Sequence, residues 1–405
     1  QFKMKVLRNY LNRIKPNFEP GGKLQSMQSV FDGFETFLYT PNTTSRAGAV
    51  NVHDSLDSKR IMIIVVLALM PCLLFGMYNT GYQNWLAAGA TEFPFWELMA
   101  YGFLAVLPRI LVAYVVGLGI EFAVAQYRHE EIQEGFLVTG ILIPLICPVE
   151  TPLWMLAVAT AFSVIFVKEV FGGTGYNVFN VALVTRAFLF FAYPAQMSGD
   201  KVFVSTGSIL GLGHDLPDGF TGATPLGQIA SFAGDKLELL NLRGDVISAW
   251  DAFIGLIPGS FGETSTLCIL IGAALLLFTG IASWRIMLSV IIGGLLMGWI
   301  ANLFQTPTYP ASFLSPVDQL LYGGFAFAAV FMATDPVTAA RTGTGKYIYG
   351  LLVGIVAVLI RTYNNGYPEG AMLAVLLANA LAPLIDYCVV QTNVSRRMRR
   401  LKTRA

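Results

Sequence analysis

The run Asp218-Gly-Phe-Thr221-Gly222-Ala223-Thr224-Pro-Leu places hydroxyls and a carboxylate beside glycine in a polar stretch between two apolar halves. Gly, Asp and Ser are frequent from 195 to 262, so this stretch faces water and its hydroxyls are accessible. An ordinary surface turn has the same composition. A second set of reactive groups is ionisable and lies in or beside apolar runs: Arg109, Glu121, Lys168, Glu169, Arg186, Asp335, Arg361 and Asp386. A charge in the bilayer costs at least about 2.5–3.5 kcal/mol, so each such residue raises the question of function. Lys168, Arg361 and Asp386 stand near the ends of their runs, where side chains snorkel to the interface.

Glu121 closes Val115-Val-Gly117-Leu-Gly119-Ile-Glu121, where glycines leave room for close approach. That pattern suits a ligand pocket near the cytoplasmic face or, equally, a buried ion pair. Asp335 ends Phe331-Met-Ala-Thr-Asp335-Pro336. A carboxylate at a helix break, with carbonyls freed by proline, suits Na⁺ or a proton, since hard cations take oxygen ligands; a local cap is the simpler role. Asn177 and Asn180 follow the glycine break Gly172-Gly-Thr-Gly175. Amides there either cap the next helix or hydrogen-bond a polar ring system.

The elements that must position these groups are membrane spans. Of 405 residues, 55% are hydrophobic and only 13% charged, with mean hydropathy +0.61; a soluble domain carries about 25% charged residues. A net charge of +1 argues against nucleic acid as a partner. The four cysteines form no CxxC and are far apart, so no disulfide framework or Cys metal motif is signalled. None of the three histidines lies in an apolar span, which disfavours a bis-His haem; if electrons move here, an organic cofactor carries them.

Residues 1–58 are basic and hold no apolar run of the length a secretory signal needs. The positive-inside rule places them in the cytoplasm. Their small apolar clusters, Phe31–Phe34 and Phe37–Tyr39, suit packing on the membrane face or a partner. Apolar stretches follow at Ile61–Tyr78, Glu97–Gln126, Phe136–Cys147, Leu153–Val167 and Val178–Tyr193. An outer loop is expected at 79–96, and Pro108 should kink the second span. After the acidic loop 195–262, placed outside, come Thr264–Ala282, Ile286–Phe304, Leu320–Ala333, Ile348–Ile360 and Ala371–Val390. The basic tail 392–405 returns inside. The count is ten spans, five on each side of the loop, with both termini cytoplasmic.

The halves superpose in sequence. Gly135-Phe136 precedes Pro148-Val149 much as Gly324-Phe325 precedes Pro336-Val337. The apolar span after each proline ends in a base, Lys168 or Arg361, followed by Gly175-Tyr176 or Gly366-Tyr367. An odd span number per half inverts the second copy, making repeats of 59–194 and 263–391. The short, proline-ended spans three and eight occupy matching places, and paired broken segments mark the pathway in inverted-repeat transporters.

Asp218-Gly-Phe-Thr221-Gly222-Ala223-Thr224 fits Asp-x-x-[Ser/Thr]-Gly-Ala-Thr, the acceptor motif at which flavin transferases join FMN to threonine as a phosphoester. With it stand Phe18-Glu-Pro-Gly-Gly-Lys23, Lys168-Glu-Val-Phe-Gly-Gly-Thr-Gly175, Arg186-Ala-Phe-Leu-Phe-Phe-Ala-Tyr-Pro-Ala-Gln196 and Phe331-Met-Ala-Thr-Asp-Pro336. Together these resemble the B-subunit family of the Na⁺-translocating NADH:quinone oxidoreductase over essentially the whole chain. The resemblance implies an all-α polytopic membrane protein, a ten-helix 5+5 inverted repeat similar to urea transporters. It implies covalent FMN at Thr224 on the outer side. It also implies a non-covalent riboflavin in the membrane domain, with Asn177 and Asn180 as contacts.

Electrons would then arrive from another subunit and reduce a quinone near the cytoplasmic face, where Gly117 and Glu121 match a family quinone region. The family's second glycine there is Leu118 in this chain. Val138, Ile141, Phe327 and Phe331 match a Na⁺ constriction, and Asp335 and Asp386 match acids of Na⁺ handling. The resemblance further implies a six-subunit complex (partners A, C, D, E and F) in a bacterial inner membrane, surrounded by lipid. No NAD-binding fingerprint is present, since Gly172-Gly-Thr-Gly175 follows no strand, so NADH oxidation belongs to another subunit. Other readings are the D-type membrane component of the related ferredoxin:NAD⁺ reductase (Rnf) complex, a urea-transporter-type channel and a secondary Na⁺ transporter.

Overall fold

The computed structural model describes residues 11–18, 31, 58–128, 135–197, 202–217, 220–232, 238–364 and 366–404. Its elements are α1 (Ser58–Ala87), α2 (Phe95–Arg128), α3 (Phe136–Ile146), α4 (Leu153–Ser163), α5 (Val181–Ala192), α6 (Pro225–Ala230), α7 (Ala249–Ile254), α8 (Thr266–Phe278), α9 (Trp284–Leu303), α10 (Asp318–Leu321), α11 (Phe325–Phe327), α12 (Gly343–Tyr363) and α13 (Ala371–Arg404). Among the described residues the structure is helical, with isolated bridges in place of strands. Among the described residues, five helices are long and apolar enough to cross a membrane: α1 from Arg60, α2, α9, α12 and α13 to Arg400. Shorter apolar helices, α3, α5 and α8, stand beside them. This is the architecture of a polytopic membrane protein.

Several sequence expectations change here. The outer loop expected from 79 begins only after Ala87, because α1 continues for more than two further turns. The reason is the set of amides on that end. Asn79 Nδ2 donates to the Ile257 carbonyl at 3.0 Å, and Asn84 Nδ2 donates to Ser205 O at 2.9 Å and His214 O at 3.0 Å. The long polar stretch therefore packs onto the helical bundle. It has its own small core of Leu226, Ile229, Leu239, Ile247, Ala252 and Ile257, closed by Ala311, Leu314 and Tyr322. Tyr101 stitches it further, donating to Gly207 O at 2.6 Å with Ser205 Oγ at 2.9 Å. α2 is a single helix with Pro108 inside it.

Both broken segments exist. α3 is 11 residues long and stops at extended Cys147, about 16 Å at 1.5 Å per residue, well short of a bilayer core. The expected span Leu320–Ala333 is instead α10, α11 and a π-type turn, Ala328–Met332. A second π-type turn, Val164–Glu169, replaces the regular end of the fourth span. Such wide turns leave the regular hydrogen-bond ladder and recur where side chains are re-aimed for function. The Ala328–Met332 turn is buried within protein, where irregular backbone at membrane depth is tolerated, whereas the Val164–Glu169 turn buries Val164, Val167 and Lys168 and exposes Ile165 and Phe166. At the other extreme, Gly354 of α12 packs directly on the Val290 carbonyl of α9, where any Cβ would overlap it. α13 runs unbroken through Pro383 to Arg404, so the basic residues at its end are helical.

The N-terminal segment falls mostly outside the described residues. Phe31 is buried and stacks on Phe18 with ring centroids 4.6 Å apart.

Candidate functional sites

An inner cavity of about 100 Å³ lies between the two broken regions. Its polar lining is Thr139, Lys168, Thr174, Asn177, Asn180, Thr334 and Asp335, and its apolar walls include Val138, Leu142, Leu276 and Phe331. The local sequence explains the shape. Gly172, Gly173 and Gly175 take φ of +114°, +95° and +93°, values only glycine adopts freely, so the chain turns sharply after Lys168 and presents Thr174 and Asn177. Asn180 caps α5, its Oδ1 accepting from Leu183 N at 3.2 Å, and its Nδ2 donates to Asp335 Oδ2 at 3.2 Å. Asp335 also accepts from Val337 N at 3.1 Å and Thr338 Oγ1 at 3.0 Å. These residues therefore make local capping hydrogen bonds and also line the cavity. Asn177 Nδ2 donates to Phe179 O at 2.9 Å. Thr174 Oγ1 is buried and makes no hydrogen bond.

Lys168 joins this cavity to Glu121. The two form a buried ion pair, and Lys168 Nζ lies 5.8 Å from the Phe136 ring centroid. Gly117, one turn before Glu121, packs against the same Phe136 ring, and a Cβ there would overlap it. Gly117, Glu121, Phe136 and Lys168 are thus one cluster. The snorkelling expected of Lys168 does not occur: its side chain is 6% exposed, because Glu121 supplies a counter-charge inside the bundle. Arg361 does not snorkel either; it is 2% exposed, donating to the carbonyls of Gln319 and Glu369. The matching place of Lys168 and Arg361 in the two halves was the sequence signal for their importance, but not for their partners.

Val138 and Phe331 line the inner cavity, and Phe327 meets Phe331 with centroids 4.9 Å apart. Ile141 packs against the core beside them. Asp386 is elsewhere: it accepts from Arg341 N at 2.7 Å, Thr342 N at 3.0 Å and Thr342 Oγ1 at 2.5 Å. It ties α13 to the start of α12 and is not part of the inner cavity's lining.

On the loop, Thr224 caps α6, its hydroxyl oxygen accepting from Gly227 N at 3.1 Å. Gly222 is buried against Val204, while Thr221 is exposed and Ala223 and Thr224 are half-buried. Asp218 lies outside the described residues. Thr224 borders a small outer cavity of about 20 Å³ with Ser260, Glu263, Thr264, Gly323 and Glu369. Sequence reasoning missed Glu263 and Glu369, which stand in polar segments. Arg186 reaches them across the bundle: it donates to Glu263 Oε1 at 2.6 Å, to Ser260 Oγ at 3.1 Å and to Glu369.

Residues 46–395 match the model of the NQR2, RnfD, RnfE family. The chain belongs to that family. Within it, the chain is 43% identical over 416 residues to the B subunit of the Na(+)-translocating NADH-quinone reductase of Pseudomonas paraeruginosa, covering 97% of this chain and 99% of the relative. The B subunits of the same enzyme from Klebsiella pneumoniae and Azotobacter vinelandii are each 43% identical as well, over 423 and 417 residues, and 99% of each is covered. The residues that line both cavities described above lie within the matched region.

Proposed function

We propose that this chain is the membrane subunit of a redox-driven Na⁺ pump, a component of an NADH:quinone oxidoreductase that couples electron transfer to Na⁺ translocation. The relatives that match it end to end carry that name. Their name also favours the quinone enzyme over the ferredoxin-linked alternative. As a subunit, the chain works within a larger complex, with NADH oxidised on a partner. The proposed setting is a bacterial inner membrane, with both termini cytoplasmic and a ten-helix inverted repeat of 59–194 and 263–391.

The observation that carries the redox reading is Thr224. Its hydroxyl is half-buried at the rim of a cavity, inside a flavin-acceptor motif, so an FMN phosphoester there has both an anchor and adjacent space. The lining of the inner cavity suits a second, uncharged flavin such as riboflavin: its walls are apolar with a few converging polar groups, as those of ligand sites are. Thr174 Oγ1 is a buried group still without a partner, and Asn177 and Lys168 stand beside it. When bound, the flavins supply electron transfer; the chain's own residues hold, orient and enclose them. Lys168 fixes Glu121 near Gly117, where quinone would approach. Val138, Ile141, Phe327 and Phe331 form the narrow passage for Na⁺, with Asp335 at its inner mouth.

The deciding experiment denatures the purified chain, resolves it on a gel and looks for flavin fluorescence in the band, with Thr224→Ala alongside. Fluorescence in the wild type alone supports the assignment. A dark wild-type band from a host possessing the flavin transferase removes it.

A further inference from the structure

Cavities on the two sides of the broken second-half segment lie in file. Phe331 lines the inner cavity and meets Phe327 at a tilt, ring centroids 4.9 Å apart. Phe327 lines a very small cavity of about 10 Å³ together with Arg186, Glu263 and Glu369. The same two glutamates line the outer cavity, of about 20 Å³, beside Thr224. Beyond the aromatic pair, then, two carboxylates and an arginine separate the inner spaces from the outer one.

The arrangement around them is asymmetric. Arg186 is held by Glu263 and Ser260 as well as by Glu369. The Glu369 carboxylate has Arg186 as its partner, and its side chain is 20% exposed against 8% for Glu263. Its main-chain carbonyl is fixed separately by Arg361. Glu369 can therefore release Arg186 while the Arg186–Glu263–Ser260 contact and the local backbone stay in place. Close by in sequence, the Tyr367 hydroxyl is buried and makes no hydrogen bond, and it feels the charges of Glu369, Arg186, Glu263 and Arg361. A buried phenol oxygen without a partner is available as one more oxygen ligand. Ser260 and Thr264 add hydroxyl oxygens on the outer cavity's wall. Carboxylate and hydroxyl oxygens are what a small hard cation takes.

We propose that Glu369, with Glu263 and Tyr367, is an outer cation station of the translocation path, and that Arg186 is a tethered counter-charge which the passing cation displaces from Glu369. This rests on the Na⁺-pump reading above and adds a second, ionic gate outside the aromatic one. The tethered charge keeps the carboxylates neutralised between passages, so the pathway does not leave unpaired ions buried. It also gives the outer face a defined point at which released Na⁺ can rebind.

The test uses the whole purified complex in proteoliposomes, with Na⁺ varied separately on the inner and outer faces. Quinone reduction and uptake of radiolabelled sodium are recorded, and in-gel flavin fluorescence checks assembly. Glu369→Gln is expected to raise the outer Na⁺ concentration that half-inhibits turnover at least about fivefold, the low end of coupling between linked sites, leaving inner-face half-saturation as in the wild type. Glu369→Asp, which keeps a carboxylate, recovers the outer-face response. Tyr367→Phe breaks no ion pair and is expected to shift the outer-face response in the same direction, so it decides the matter if E369Q does not assemble. An outer-face response equal to wild type in Y367F or in assembled E369Q overturns the proposal, as does equal loss in E369Q and E369D, the mark of a purely structural salt bridge. A wild-type complex that reduces quinone without moving Na⁺ sinks the pump reading itself, and the station with it.

Discussion

Lys168 and Glu121 form an ion pair inside the helical bundle, with side chains 6% and 5% exposed. Glu121 comes from α2 and Lys168 from the π-type turn that follows α4. The pair holds the wall of the inner cavity against the cluster of Gly117 and Phe136. Removing one member strands the other, which for buried pairs costs about 3–5 kcal/mol. Glu121→Gln is therefore expected to lower the thermal unfolding midpoint of the purified chain sharply. The double variant E121Q/K168M should recover much of that loss. A single variant with wild-type melting would show that the pair carries no stability.

Gly117 meets the Phe136 ring with no room for a side chain. Gly117→Ala forces the ring or α2 to move, and overpacking of this kind costs about 1–3 kcal/mol. Trimming the ring in G117A/F136L should restore the melting temperature toward wild type. If quinone approaches at this cluster, G117A will also raise the half-saturating quinone concentration, and steady-state titration reads that directly.

Thr224→Ala removes a helix cap as well as a hydroxyl. Loss of a threonine cap costs about 1 kcal/mol, so amides of residues 225–230 should exchange with solvent about fivefold faster. Hydrogen exchange by mass spectrometry measures this in chain expressed without the flavin transferase. Thr224→Ser keeps the cap and should leave exchange near the wild-type rate.

Asp386 accepts from two backbone N–H groups and a hydroxyl at the start of α12. Asp386→Ala strands these donors, at a cost of about 1–3 kcal/mol for the set. The junction between α12 and α13 should loosen, and limited proteolysis near Arg341 should quicken. Cleavage no faster than wild type would mean that other contacts hold the junction.

Asp335 stands at the inner cavity between Asn180, Val337 and Thr338. Asp335→Asn keeps an acceptor oxygen but removes the charge. It should retain the fold, melting within about 1 kcal/mol of wild type, and should raise the inner-face Na⁺ concentration for half-maximal turnover. Unchanged Na⁺ dependence would leave Asp335 a helix cap only.

Much of the architecture was legible in local sequence. Apolar content and span length are sums over neighbouring residues, so they marked a polytopic membrane chain. Proline and glycine act on their own backbone, so Pro148, Pro336 and the Gly172–Gly175 run located the broken segments and the sharp turn that the structure contains. The same locality misled at α1, where amides that read as loop are helical because they bond to residues far along the chain.

What only the tertiary structure decided is which charges meet. Lys168 and Glu121 are 47 positions apart, Arg186 and Glu263 are 77, and Arg186 and Glu369 are 183. No local periodicity encodes such pairings. They follow from helices packing until buried ions find counter-charges, because in the bundle an unpaired charge has no water to turn to. Sequence therefore determined that these charges had to be answered, while the fold determined by whom.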